Sequence, residues 1–167
     1  MKRLYAVTFV IAVSCLSLAS PASAEVRPGV QTITEGSGQC TANFIFSDGS
    51  NTYLGQSAHC ASTGAATSTN GCIADSLPLG TKVEVEDASN PGTFPVVGEL
   101  VYSSWQAVKV NNEPETGENC RFNDFALVKL PAGTEVNPTV PFWGGPNGLA
   151  VPTTAGQDVY TYGNSSL

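Results

Sequence analysis

The chain has 167 residues, enough for one ordinary domain and too few for two. Only 13% of its residues are charged and the net charge is −7, which argues against a nucleic acid or an anionic membrane as partner, since both select for Lys and Arg. A hydrophobic content of 41% excludes disorder throughout, and a single histidine excludes a His-rich metal site.

The chain opens with Lys2 and Arg3, then a mostly apolar run from Leu4 to Leu18, then Ser20-Pro21-Ala22-Ser23-Ala24. A basic start, an apolar stretch and the small-x-small pattern Ala22-Ser23-Ala24 read as a secretory signal peptide, residues 1–24, cleaved after Ala24. The apolar run falls short of the roughly 20 residues that cross a bilayer, so a membrane anchor is not expected. The mature chain is then Glu25–Leu167, secreted, and loss of Lys2 and Arg3 takes its net charge from −7 to −9. Cys15 leaves with the leader, and Cys40, Cys60, Cys72 and Cys120 remain, an even number suited to disulfides in an oxidising compartment. Their spacing leaves all three pairings open. It contains no Cys-x-x-Cys and the chain has one histidine, so zinc is not expected; nothing in the sequence forms a calcium loop, and no metal ligand or cofactor is assigned.

The mature chain reads as all-β, with short runs of Val, Ile, Phe, Tyr and Thr between turn residues. Strands are predicted over Thr41–Phe46 and Thr52–Ala58, joined by the turn cluster Ser47-Asp48-Gly49-Ser50-Asn51. Thr81–Asp87 alternates, with Val83 and Val85 on one face and Lys82, Glu84 and Glu86 on the other. Phe94–Ser103 and Gln106–Val110 follow. Asp124–Leu130 is nearly all apolar and is expected to be buried on both faces, and Asp158–Tyr162 is the last predicted strand. No 12-residue window of the mature chain carries a helical apolar period. Short strands at this spacing suggest a small antiparallel barrel or sandwich. Ser62–Gly71 and the Pro/Gly-rich Asn137–Gly156 read as connectors, the second as a crossing between two structural units.

His59, the only histidine, lies in Ser57-Ala58-His59-Cys60 at the end of a predicted strand. An imidazole held in place can act as a general base, because its ordinary pKa is about 6.5. Such a base needs an acceptor on its other nitrogen. Asp124 is the best candidate. It opens the most apolar predicted strand, where a carboxylate is costly without a partner.

Ala58-His59-Cys60 and Asn123-Asp124-Phe125-Ala126-Leu127-Val128-Lys129-Leu130 resemble the histidine and aspartate motifs of the trypsin/chymotrypsin-like serine proteases. The aspartate block matches along its whole length. The histidine block departs from the usual run before His-Cys, with Gln56-Ser57-Ala58 in its place. The resemblance implies a first antiparallel barrel over residues 25–136, a Cys40–Cys60 bridge, and with it Cys72–Cys120. It also implies His59 as general base and Asp124 as its orienting acid, a protein or peptide substrate, and a monomer. Residues 137–167 would be the inter-barrel connector and the start of a second barrel.

The family's third motif, Gly-Asp-Ser-Gly-Gly, is absent. Gly163-Asn164-Ser165-Ser166-Leu167 is similar only on the surface, lacking glycines after the serine and the turn that builds an oxyanion hole. The segment after Asp124 is too short for a second barrel with turns every 8–12 residues or about that. The expectation is therefore a C-terminally truncated secreted serine endopeptidase, inactive as it stands. The alternatives are a non-catalytic secreted homologue acting as a binding protein, or an unrelated β-domain. The mature start, Glu25-Val26-Arg27-Pro28, does not match the Ile-Val-Gly-Gly end that many members insert to order the site, so the resemblance gives no activation route.

Overall fold

The computed structural model describes residues 23–64, 69–146, 148 and 154–164. Among these described residues nine strands run in chain order: β1 Glu25–Val26, β2 Gln31–Thr34, β3 Gln39–Thr41, β4 Ile45–Ser47, β5 Thr52–Gln56, β6 Lys82–Val85, β7 Val96–Ser103, β8 Ala126–Lys129 and β9 Glu135–Val136. Two short helices, α1 Ser104–Val110 and α2 Glu118–Phe122, lie between β7 and β8. The protein is thus all-β, as the sequence implies. Seven strands form one antiparallel sheet in the order β3-β2-β6-β7-β8-β5-β4, and β1 and β9 pair in parallel apart from it.

The sheet is curled and barrel-like because one stretch of chain serves both of its edges. β3 pairs with β2, and the Ala42 N–H still donates to Val30 O at 2.9 Å. One residue on, the Asn43 N–H donates to Gly55 O at 2.8 Å, and the Gly55 N–H to Phe44 O at 2.9 Å, which starts the pairing of β4 with β5. The predicted strand Thr41–Phe46 is therefore two strands with a bend over residues 42–44. Glycine at position 55 permits the bend, since a Cβ there would sit 2.0 Å from Asn43 Oδ1.

Alternation explains which side faces in. Val83 and Val85 are fully buried while Lys82 and Glu84 are exposed. Leu54, Leu100, Ala126, Val128 and Leu130 join them in the core. Thr32, Thr34 and Gln56 are also fully buried, and they satisfy one another: Thr32 Oγ1 donates to Gln56 Oε1 at 2.8 Å, and Gln56 Nε2 donates to Thr34 Oγ1 at 3.3 Å.

Several expectations are corrected. Glu86 is buried, not on the solvent face, because the strand ends at Val85 and the chain turns inward. Its carboxylate accepts from the N–H groups of Gln31 and Gly92. The strand around Leu127 is buried on one face only; Ala126 and Val128 are inside and Lys129 is exposed. Gln106–Val110 is helix, not strand. It buries Trp105 and Val108 one turn apart, and seven residues are too few to show a period in a longer window. Residues 158–162 form no strand and pair in no ladder among the described residues. β1 and β9 are two residues each, too short to carry a pattern, whereas β2 follows Val30 with Thr32, Ile33 and Thr34 and is a run of β-formers that the sequence reading does not include.

The disulfides are Cys40–Cys60 and Cys72–Cys120, with Cα separations of 5.9 and 5.2 Å. They fit an oxidising, extracellular environment. Among the described residues no helix is long and apolar enough to cross a membrane.

Candidate active site

β5 ends at Gln56, whose buried side chain is fixed by Thr32 and Thr34. Ser57 is still extended, and the chain then makes a single 3-10 turn over Ala58–Ala61. The Cys60 N–H donates to Ser57 O at 3.2 Å and the Ser62 N–H to His59 O at 2.9 Å. Ala58, Cys60 and Ala61 are buried, which leaves His59 as the residue of the turn that faces outward. The Cys60 bridge to Cys40 ties the turn to β3.

Asp124 lies between α2 and β8, just before Ala126 pairs with Gln56 at the end of the neighbouring strand β5. Its neighbours are clamped by Ser104, the fully buried first residue of α1. Ser104 Oγ donates to Asn123 O at 2.9 Å and accepts from the Phe125 N–H at 3.0 Å; the Ser104 N–H donates to Phe125 O at 2.8 Å. Both residues flanking Asp124 are therefore fixed by one side chain. Sequence reasoning missed Ser104, since a serine after a strand carries no distinguishing pattern.

The structure brings His59 and Asp124 together across 65 residues of chain. His59 Nδ1 lies 2.7 Å from Asp124 Oδ2, and the His59 backbone N–H donates to Asp124 Oδ1 at 2.9 Å. One carboxylate thus takes both the ring and the backbone of the same residue, which fixes the ring's position and its plane. An ionised carboxylate can only accept, so Nδ1 carries the proton and the neutral ring keeps its lone pair on Nε2. The side chains are 52% and 37% exposed, so the pair is open on one side instead of buried.

The titration behaviour follows. The hydrogen bond to Asp124 raises the His59 pKa above its ordinary 6.5, against a smaller opposing effect of burial. For Asp124, burial acts upward, but the bonds from the His59 ring, the His59 N–H and the Ala58 N–H together outweigh it and keep the carboxyl below its ordinary 3.8. At neutral pH the acid is ionised.

Among the described residues, no serine hydroxyl bonds His59 Nε2, whose near neighbour is Cys40 Sγ at 4.0 Å. Ser37 is engaged elsewhere, its Oγ donating to Ser62 O at 2.7 Å. Ser165 and Ser166 lie outside the described residues, as does most of the predicted leader. Cys40, His59 and Cys60 converge within 4.8 Å, the spacing of a metal site, but both sulfurs are spent in the disulfide and offer no thiolate. Comparison with family models, with curated proteins and with solved structures finds no match.

Proposed function

We propose that this chain carries the His-Asp half of a secreted, trypsin-like serine endopeptidase, and that residues 25–136 are its first barrel. The observation that carries this reading is the double contact of Asp124 with the Nδ1 and the backbone N–H of His59. In such a site the imidazole Nε2 removes the proton from a serine hydroxyl as it attacks the substrate carbonyl, then returns it to the leaving amine. Asp124 holds Nδ1–H and stabilises the imidazolium that forms between the two steps. The half-exposed His59 side chain is accessible to a nucleophile presented by another structural unit. The Cys40–Cys60 bridge, which the resemblance implied, also supports the reading.

A second barrel packed beside the first would cover the aromatic surface now open at the C-terminal end. Phe142 is 94% exposed and Tyr160 75%, with the rings of Phe142, Trp143, Tyr160 and Tyr162 stacked edge to face or tilted on one another. Residues of this kind are ordinarily buried.

The test is to read the gene beyond the codon for Leu167 and express whatever open frame continues there. A continuation with a Gly-Asp-Ser-Gly-Gly block should react with a fluorophosphonate at that serine, and His59→Ala should abolish the reaction. The 167-residue chain alone should not be labelled. Stoichiometric labelling of that chain, or labelling of the longer product that survives His59→Ala, overturns the proposal. A stop codon with no such block downstream does so too, in favour of a non-catalytic secreted homologue.

A further inference from the structure

We propose that the Ala24–Glu25 peptide bond is a processing site and that the α-ammonium released on Glu25 pairs with the carboxylate of Asp87, fastening the new N-terminus to the barrel. The inference rests on residues 1–24 being a leader and is independent of the proposed catalysis. Two separate observations meet at one atom. The pattern Ala22-Ser23-Ala24 places the cut before Glu25. In the fold the Glu25 nitrogen lies 3.0 Å from Asp87 Oδ1.

Asp87 is suited to receive a cation. It is only 9% exposed, and its donors besides the Glu25 nitrogen are neutral: the Ser89 N–H at 2.9 Å and Ser89 Oγ at 2.7 Å, both on Oδ1, and the Asn90 N–H. The Ser89 hydroxyl is the main cause of a carboxyl pKa held below the ordinary value, so the group is charged at neutral pH. Among the described residues it has no ion-pair partner.

The Glu25 nitrogen is held in place through its own carbonyl and through the residue that follows it. The Ala88 N–H donates to Glu25 O at 2.9 Å, the Asn137 N–H donates to Val26 O at 2.9 Å, and the Val26 side chain is fully buried. The other charged groups nearby are Arg27, 4.0 Å from Glu25 Oε1, Glu135 opposite Glu25 in β9, and Glu86, whose carboxylate faces Gln31, Gly92 and Asn164. The Glu25 carboxylate accepts from Asn137 Nδ2 at 3.3 Å. Carboxylates outnumber the single guanidinium, a field that favours an added ammonium.

The chemistry balances with water alone. Hydrolysis by a signal peptidase adds one water across the bond; Ala24 leaves as a carboxylate and the Glu25 amide nitrogen becomes an ammonium. The amide N–H that donates to the Asp87 carboxylate is replaced at the same place by an ammonium, which turns a hydrogen bond to an anion into an ion pair.

The test uses the full 167-residue gene in a secreting host. N-terminal sequencing and intact mass should give Glu25 as the first residue. Trace acetylation across pH should show its α-amine titrating at least about one unit, or tenfold, above the ordinary range of about 7.7–8.0. Asp87→Asn should return it to that range. Should that variant fail to fold, a chain starting at Ala24 serves instead, with Asp87 intact and the amine displaced by one residue; its amine should titrate in the ordinary range. A different first residue, an ordinary titration of Glu25, or an equally raised titration in the Ala24 chain overturns the proposal.

Discussion

Asp124→Asn keeps the side-chain shape while removing its charge and one acceptor. The Asn oxygen can still take the His59 backbone N–H, but its amide cannot accept from Nδ1–H, so the ring must turn or shift its proton to Nε2. A hydrogen bond to a charged group contributes about 1.5–3 kcal/mol when sheltered. Here the side chains are 52% and 37% exposed, and exposed ion pairs contribute about 0.2–1 kcal/mol. A loss of about 1 kcal/mol is therefore expected, or about 3–5 °C in Tm for a domain of this size.

The pH dependence has a definite sign. The raised His59 pKa gives stability that is complete below 6.5 and is lost as pH climbs through the folded-state value. The lowered Asp124 pKa gives stability that is complete above 3.8 and is lost as pH falls through its folded-state value. The variant should thus lose most relative to the parent between about pH 4 and 6.5. Thermal melts across pH measure this. Long-range ¹H–¹⁵N spectra of the His59 ring should show the proton on Nδ1 in the parent and on Nε2 in the variant, with a lower midpoint for the variant. An unchanged midpoint and tautomer would refute the assignment of Asp124 as the orienting acid.

Two further outcomes concern the frame that carries the pair. Breaking Cys72–Cys120 by a double Ser substitution opens a loop of sequence separation 48, which chain entropy values at about 4 kcal/mol. Denaturant unfolding should show a loss of that order, larger than the roughly 3 kcal/mol for the separation of 20 between Cys40 and Cys60. Gly98→Ala would place a Cβ 2.5 Å from Val128 Cγ1 and 2.9 Å from Lys129 O, and a backbone oxygen in a ladder cannot yield. The expected cost is about 1–3 kcal/mol, seen as a lower denaturation midpoint with unchanged slope; a neutral substitution would mean that β7 and β8 do not approach as described.

Legibility in the sequence followed the range of the interaction. β5, β6, β7 and β8 were readable because alternation and β-branched runs are local. The bend at residues 42–44 was not, since it arises where the chain changes partners from Val30 to Gly55. The helix Ser104–Val110 was hidden because Val, Trp and Gln suit either state, and burial of Trp105 and Val108 under the sheet decides between them. Ser104 gained its place beside Asp124 only through Asn123 and Phe125 on a later element.

The sequence by itself determined the all-β class, the even set of cysteines, and the two residues able to form a base and its acceptor. These depend on residue type, composition and period two. Tertiary structure decided the rest: which cysteines join, that His59 meets Asp124 by both ring and backbone, that Ser104 steadies the aspartate, and that the Glu25 nitrogen meets Asp87. Each of these joins residues distant along the chain, and only the closing of the sheet brings them within hydrogen-bond reach.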